Sequence, residues 1–369
     1  MVTSSFYMKD YPEWVEAWNA KGVPASYANK SWELLAEPST YLFGNADDMA
    51  WEVDFPGFGR TFPHPYGPAD GKYFTTLLTL APAGDEIILD FAKTLISAEK
   101  IGADEVTDYL SISFSSTDYV GHFFGPSSLE SEDNLLRLDR TLADLLAYVD
   151  KTVGLDRTLI VLSADHGASE VPGYLNSLGI GGSYFKFDDV DKSEAIAALK
   201  KEFGVSKELV DKFFQPYLYL NRETIAQRNL DIAKVSRRVA EELSKFPGVA
   251  FAVSSHDLRA GAVARTPVTE AVLANFHEDR SGDIYIVFEP HWFVADFDGK
   301  SVAGSHGSPW PYDSHVPVIW MGPDIERGRV ERRVATVDVA PTIAAYLRVR
   351  PPSGSRGRVM EEVTTSADD

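Results

Sequence analysis

The stretch ESEDNLLRLDRTLADLLAYVDKTVG, residues 130–154, restricts the fold more than any other part of the chain. Leu135, Leu138, Leu142, Leu145, Leu146 and Val149 recur at three- and four-residue spacing, so they share one face of a long helix. Its first turn is acidic and Gly154 ends it, as the helix dipole favours. Strand-forming sequence stands on both sides. YLSISFSS (109–116) alternates apolar and small polar residues. TLIVLSA (158–164) is almost continuously apolar, as in a strand covered on both faces. Strand, helix, strand predicts a βαβ unit, and with it an α/β fold around a mainly parallel sheet between helices.

The rest of the chain extends this plan. Residues 82–102 read as a helix closed by Gly102, with Ile87, Ile88, Phe91, Leu95 and Ile96 at helical spacing. VPVIWMG (316–322) reads as a strand, and TVDVAPTIAAYL (336–347) as a helix with Pro341 in its first turn. Residues 1–75, rich in aromatics, Pro and Gly, read as covering loops with a short helix near Pro12–Ala20. Between them lies a stretch of another character. SYFKF, LYLN, VAFAVS and DIYIVF are short strand candidates, and SEAIAALKKEFG and DIAKVSRRVAEELSKFPG are helices. The division expected is therefore a core of residues 1–171 and 291–369, with 172–290 inserted as a small α+β lobe.

Composition excludes several classes of function. A formal net charge of −20 leaves no broad basic surface for nucleic acid. An anionic substrate would need a local positive centre, which bound metal supplies. With no cysteine, thiol catalysis, Cys–zinc sites and disulfides are ruled out. No apolar run reaches membrane-spanning length, and the first residues show no basic stretch followed by an apolar one.

Three spots at strand ends carry candidate chemistry: Asp118 and His122 in SFSSTDYVGH, Asp165 and His166 in SADHG, and His306 and His315 in GSHGSPWPYDSH. In open α/β sheets ligands gather outside the carboxyl ends of strands. Asp118 and His122, four apart, share a face if their loop makes a helical turn. Asp165 and His166 can turn to one edge because Gly167 frees the backbone where the strand ends. Oxygen and imidazole donors without thiolate suit zinc, and less well manganese or iron. Any one of these spots alone is as readily an ordinary turn; three in series are a site. His315 serves equally as a hydrogen-bonding neighbour. His64, His256, His277 and His291 read as surface or packing residues.

These segments resemble the alkaline phosphatase superfamily, in its branch of alkaline phosphatase-like phosphomonoesterases and type I phosphodiesterase/nucleotide pyrophosphatases. SFSSTDYVGHFFGPSSLESEDNLLRLDRTLADLL, SADHG, GSHGSPWPYDSHVPVIWMG and VATVDVAPTIAAYL follow in that family's order, so the resemblance runs over about residues 1–355. It implies an alkaline phosphatase-like core and hydrolysis of small phosphate esters through a phospho-enzyme with two Zn2+ ions. One zinc would be held by Asp118, His122 and His306, the other in part by Asp165 and His166; His315 receives no family role. The family completes the second zinc with an Asp near the chain's start and a Thr or Ser nucleophile in a Thr-x-x-Gly-His type loop. No such loop is present, and Thr61 in TFPHP lacks the Gly. The expectation is a C-terminal portion of a longer, extracytoplasmic enzyme, inactive by itself. A phosphodiesterase, or a metal-binding module without catalysis, are the alternatives.

Overall fold

The computed structural model describes residues 1–187, 190–297 and 300–364. Helix α1 (Ala83–Ala98) is followed by α2 (Ser116–Phe124) and the long α3 (Leu129–Thr152). Ser128 caps α3 by accepting a hydrogen bond from the Ser131 amide at 3.1 Å. Strand β1 (Ile160–Ser163) then leads into the Asp-His-Gly turn.

Two expectations for this core are corrected. Residues 109–115 join no ladder among the described residues, although their side chains still alternate between exposed and half-buried. And β1 pairs antiparallel with β8 (Val318–Met321), Ser163 opposite Val318, so the described core strands do not form a parallel sheet. An alternating pattern fixes which way side chains face, but a ladder needs a neighbour that pattern cannot name. The α/β class itself holds.

The buried face of α3 also differs from the apolar stripe. Leu129, Glu130, Ser131, Asp133, Asn134 and Thr141 are buried, whereas Leu135 is 52% exposed. For Asp133, satisfied hydrogen bonds make this possible. The Asp133 carboxylate accepts from Trp32 Nε1 (2.6 Å), the Leu35 amide (2.7 Å), the Tyr41 hydroxyl (2.6 Å) and Arg137 Nε (2.7 Å). It thereby ties residues 32–41 to α3. The N-terminal region is thus more than a cover: Trp32, Phe58, Tyr66, Phe74, Leu77 and Leu80 form a core cluster with Val120 and Phe124 of α2.

Within that cluster His64 is fully buried and stacks on Phe58 at 4.6 Å. Its Nδ1–H donates to the Phe58 carbonyl at 3.3 Å, because a carbonyl can only accept. With the ring neutral, Nε2 accepts, and the proton of the 3.2 Å contact to Glu130 Oε1 belongs to the carboxyl. Burial pushes His64 down to about 4 and holds Glu130 well above the ordinary carboxyl range, which agrees with a neutral pair. Glu52 is pushed up to about 9, by burial first and by Glu130 second.

Residues 183–293 build a separate layer. Strands β3 (Val210–Phe214), β4 (Tyr217–Leu220), β5 (Val249–Ser254) and β6 (Ile284–Phe288) form an antiparallel sheet in the order β3-β4-β6-β5. All of β6 is buried, and its period of two splits it. Ile284, Ile286 and Phe288 pack with Ile196, Leu199, Val235, Val239 and Leu243 of the two helices Glu194–Glu202 and Ile232–Leu243. Tyr285 and Val287 face the other way, toward Leu258 and Val272 of two further helices, Ser255–Arg259 and Pro267–Asn275, that the sequence pattern did not give. The chain returns to the core through a parallel pairing of β2 (Ser183–Tyr184) with β7 (Trp292–Phe293).

Candidate metal centre

Asp118 and His122 lie one turn apart on α2, so both project from one face of it. The carboxylate is the hub of the site. Its Oδ1 lies 3.5 Å from His122 Nε2, 3.5 Å from His306 Nε2 and 3.9 Å from His166 Nε2. One ligand atom from each of Asp118, His122 and His306 lies within 4.8 Å of the other two.

Each histidine is aimed by its backbone surroundings. The His122 carbonyl accepts the Ala303 and Gly304 amides at 2.7 and 3.2 Å, while His122 Nδ1–H donates to the Gly304 carbonyl at 2.9 Å. This fixes the tautomer and puts the Nε2 lone pair on the side of Asp118. The exchange also stitches the loop carrying His306 to α2. Gly304 is required, since a Cβ there would stand 2.8 Å from the Gly121 carbonyl oxygen. His166 repeats the arrangement: Nδ1–H donates to the Gly167 carbonyl at 2.8 Å, and Nε2 sits 3.6 Å from Asp165 Oδ2. His306 is held below the ordinary imidazole range, first by burial and then by His166, so its nitrogen lone pair is available at neutral pH.

The donor set fits zinc. Bonds of about 2.0–2.1 Å in a tetrahedron separate ligand atoms by roughly 3.4 Å. The two 3.5 Å separations around Asp118 Oδ1 are close to this, and all three ligand atoms lie within 4.8 Å of one another. Asp165 is arranged differently: its side chain is 89% exposed, with Oδ2 3.6 Å from His166 Nε2.

The remaining candidates lie elsewhere. His315 is exposed and joins no ligand group among the described residues. Thr61 is an exposed bend residue. His64 packs in the aromatic cluster, His256 is half-buried beside a helix start, and His277 is exposed. His291 is half-buried, with Nδ1 3.2 Å from Ser169 Oγ. The residues that sequence patterns missed are the backbone organisers Gly304 and Asp313. Only the glycines flanking His306 hinted at so close a packing.

Fold and site together are those of an alkaline phosphatase-like framework with a candidate metal site. A family model described as type I phosphodiesterase / nucleotide pyrophosphatase matches residues 8–309, and the chain belongs to that family. Among its relatives, alkaline phosphatase PafA of Elizabethkingia meningoseptica is 34% identical over 365 residues, 98% of this chain and 65% of its own length. The crystal structure of PafA matches with a TM-score of 0.88 at 33% identity, over 98% of this chain and 68% of that one. Alkaline phosphatase PhoV of Synechococcus elongatus is 34% identical over 363 residues, 98% of this chain and 64% of its own. A Myroides odoratus protein described as a calcium-transporting ATPase is 35% identical over 364 residues, again 98% of this chain and 66% of its own. The chain therefore spans about two thirds of the length of the curated relatives it matches.

Proposed function

We propose that this chain carries the metal-binding part of a phosphomonoesterase acting on small phosphate esters through two zinc ions and a phospho-enzyme. The observation that carries the reading is the convergence of Asp118, His122 and His306, with His166 and Asp165 beside them. Asp118, His122 and His306 would hold one ion; Asp165 and His166 would supply part of a second site. Bound zinc supplies Lewis-acid stabilisation of charge on phosphoryl oxygens, in a chain whose net charge of −20 otherwise repels an anion. The protein's part is positioning. Gly304 and Gly167 fix the tautomers of His122 and His166, and the i,i+4 geometry of α2 sets the spacing of Asp118 from His122.

A hydroxyl nucleophile and the remaining ligands of the second ion are, on this reading, supplied by polypeptide outside these residues. The open position of Asp165 supports that division. The chain by itself then binds zinc at the first site and turns over little or nothing. Like the alkaline phosphatases it resembles, the complete enzyme would work outside the cytoplasm. The test is hydrolysis of p-nitrophenyl phosphate with added zinc. Strong turnover by this chain, abolished in His306→Ala, would overturn the inactive reading; no zinc bound at all would overturn the site.

The family description favours one second reading, a phosphodiesterase or nucleotide pyrophosphatase. Comparing bis-p-nitrophenyl phosphate with the monoester, on an enzyme restored to the length of its relatives, separates the two.

A further inference from the structure

The loop bearing His306 and the turn bearing His166 meet at a four-residue helix, Pro311–Ser314, that contributes no ligand. Its Asp313 is 3% exposed. The carboxylate Oδ2 accepts the Ser308 amide at 2.6 Å, two residues beyond His306. The backbone carbonyl of the same residue accepts the Gly167 amide at 2.6 Å, one residue beyond His166. A third tie, Ser169 N–H to the Ser305 carbonyl at 2.8 Å, runs alongside. The approach leaves no space: a Cβ on Gly167 would stand 2.2 Å from the Tyr312 carbonyl oxygen.

We propose that Asp313 is a positioning residue, which holds the His306 loop and the His166 turn at the separation that metal binding requires. A buried carboxylate costs desolvation unless its hydrogen bonds are made, and charge-assisted bonds to backbone amides are short and directional. Spending such a group on Ser308 N–H makes sense where the loop's position matters. The same helix adds a second brace from Tyr312, whose hydroxyl accepts the His291 amide at 3.1 Å and whose ring stacks on His291 at 4.4 Å. The loop is thereby referenced to the point where the chain re-enters the core. Asp313 places the backbone of the His306 loop, while the ring itself meets Asp118 and His166.

The inference rests on the zinc-site reading, and zinc affinity tests the two separately. Zinc binding by chelator competition is compared in the wild type, Asp313→Ala, Asp313→Asn and Ser308→Pro, with far-UV circular dichroism of each metal-free protein. Asp313→Ala is expected to bind at least about tenfold more weakly, within the 10–100-fold range for groups that orient metal ligands. Asp313→Asn keeps an acceptor for Ser308 N–H and should stay within about threefold of the wild type. If Asp313→Ala loses its secondary structure, Ser308→Pro carries the test: it deletes the donor, leaves the carboxylate, and is expected to weaken binding equally. Wild-type affinity in Asp313→Ala or in Ser308→Pro overturns the proposal, as does an Asp313→Asn as weak as the alanine variant. A wild type that binds no zinc overturns the site reading instead.

Discussion

The imidazole rings of His166 and His306 stack face to face, 3.5 Å between centroids and 11° between planes. The two belong to different loops and, on the proposed assignment, to different ions. Each ring is thus the wall of the other's site. Removing one ring should both delete a ligand and free its neighbour.

His306→Ala is therefore expected to lower zinc affinity by more than the roughly 10–100-fold typical of losing a supporting group. Equilibrium dialysis reads the affinity. Proton NMR of the His166 ring should show its resonances moving toward those of a solvated imidazole; an unshifted ring would contradict the shared wall.

Zinc should stabilise the folded chain. With three donors already placed, binding to the native state at a free zinc concentration a hundred times Kd adds about 2.7 kcal/mol. Differential scanning calorimetry should show an upward shift with zinc, and a much smaller one with calcium, which prefers six or more oxygen ligands. Equal shifts for both ions would count against the N/O site.

Glu52 gives a pH dependence with a definite sign. In the fold it keeps its proton up to about 9, and its reference value is 4.5. The unfolded chain releases that proton first, so stability falls as pH rises from 4.5 toward 9. Glu52→Gln should match the wild type near pH 5 and exceed it increasingly toward pH 9, by an amount on the order of a few kcal/mol. Glu130, shifted in the same direction, leaves part of the slope in the variant. Urea denaturation across this range checks it, and a difference that shrinks with pH would refute the assignment.

Leu243→Ala tests how independent the layer of residues 183–293 is from the metal centre. Leu243 is fully buried among the helix and sheet side chains of that layer. Truncation should cost about 2–5 kcal/mol. No predicted ligand comes from this layer, so zinc affinity should be unchanged wherever the variant remains folded.

Much of the site was legible in the sequence because its spacing is local. Asp118 and His122 needed only a helical turn, and Asp165 and His166 only the end of β1; His306 reaches them from a loop and not from a strand end. The four short strands and two helices after residue 172 were legible for the same reason, since patterns of 2.0 and 3.6 are printed in the chain. What was not legible depends on partners. The apolar stripe of α3 suggested one buried face, yet the polar face is buried, with Asp133 finding three donors distant in sequence besides Arg137 one turn away. His64 read as a surface or packing residue in a Pro-rich loop; only assembly shows it enclosed by Phe58, Phe62 and Trp32. Asp313 left no pattern, since its role is a backbone contact to a loop five residues away.

The strand pair β1–β8 leaves Leu162, Ile319 and Met321 in contact with water. Such a surface attracts copies of itself, while a net charge of −20 holds them apart. The balance is colloidal and salt sets it. The screening length shrinks from about 8 Å at 0.15 M to about 3 Å at 1 M, so repulsion fades while apolar attraction persists. Purified alone, this chain should be monodisperse in dilute buffer and should self-associate as ionic strength rises.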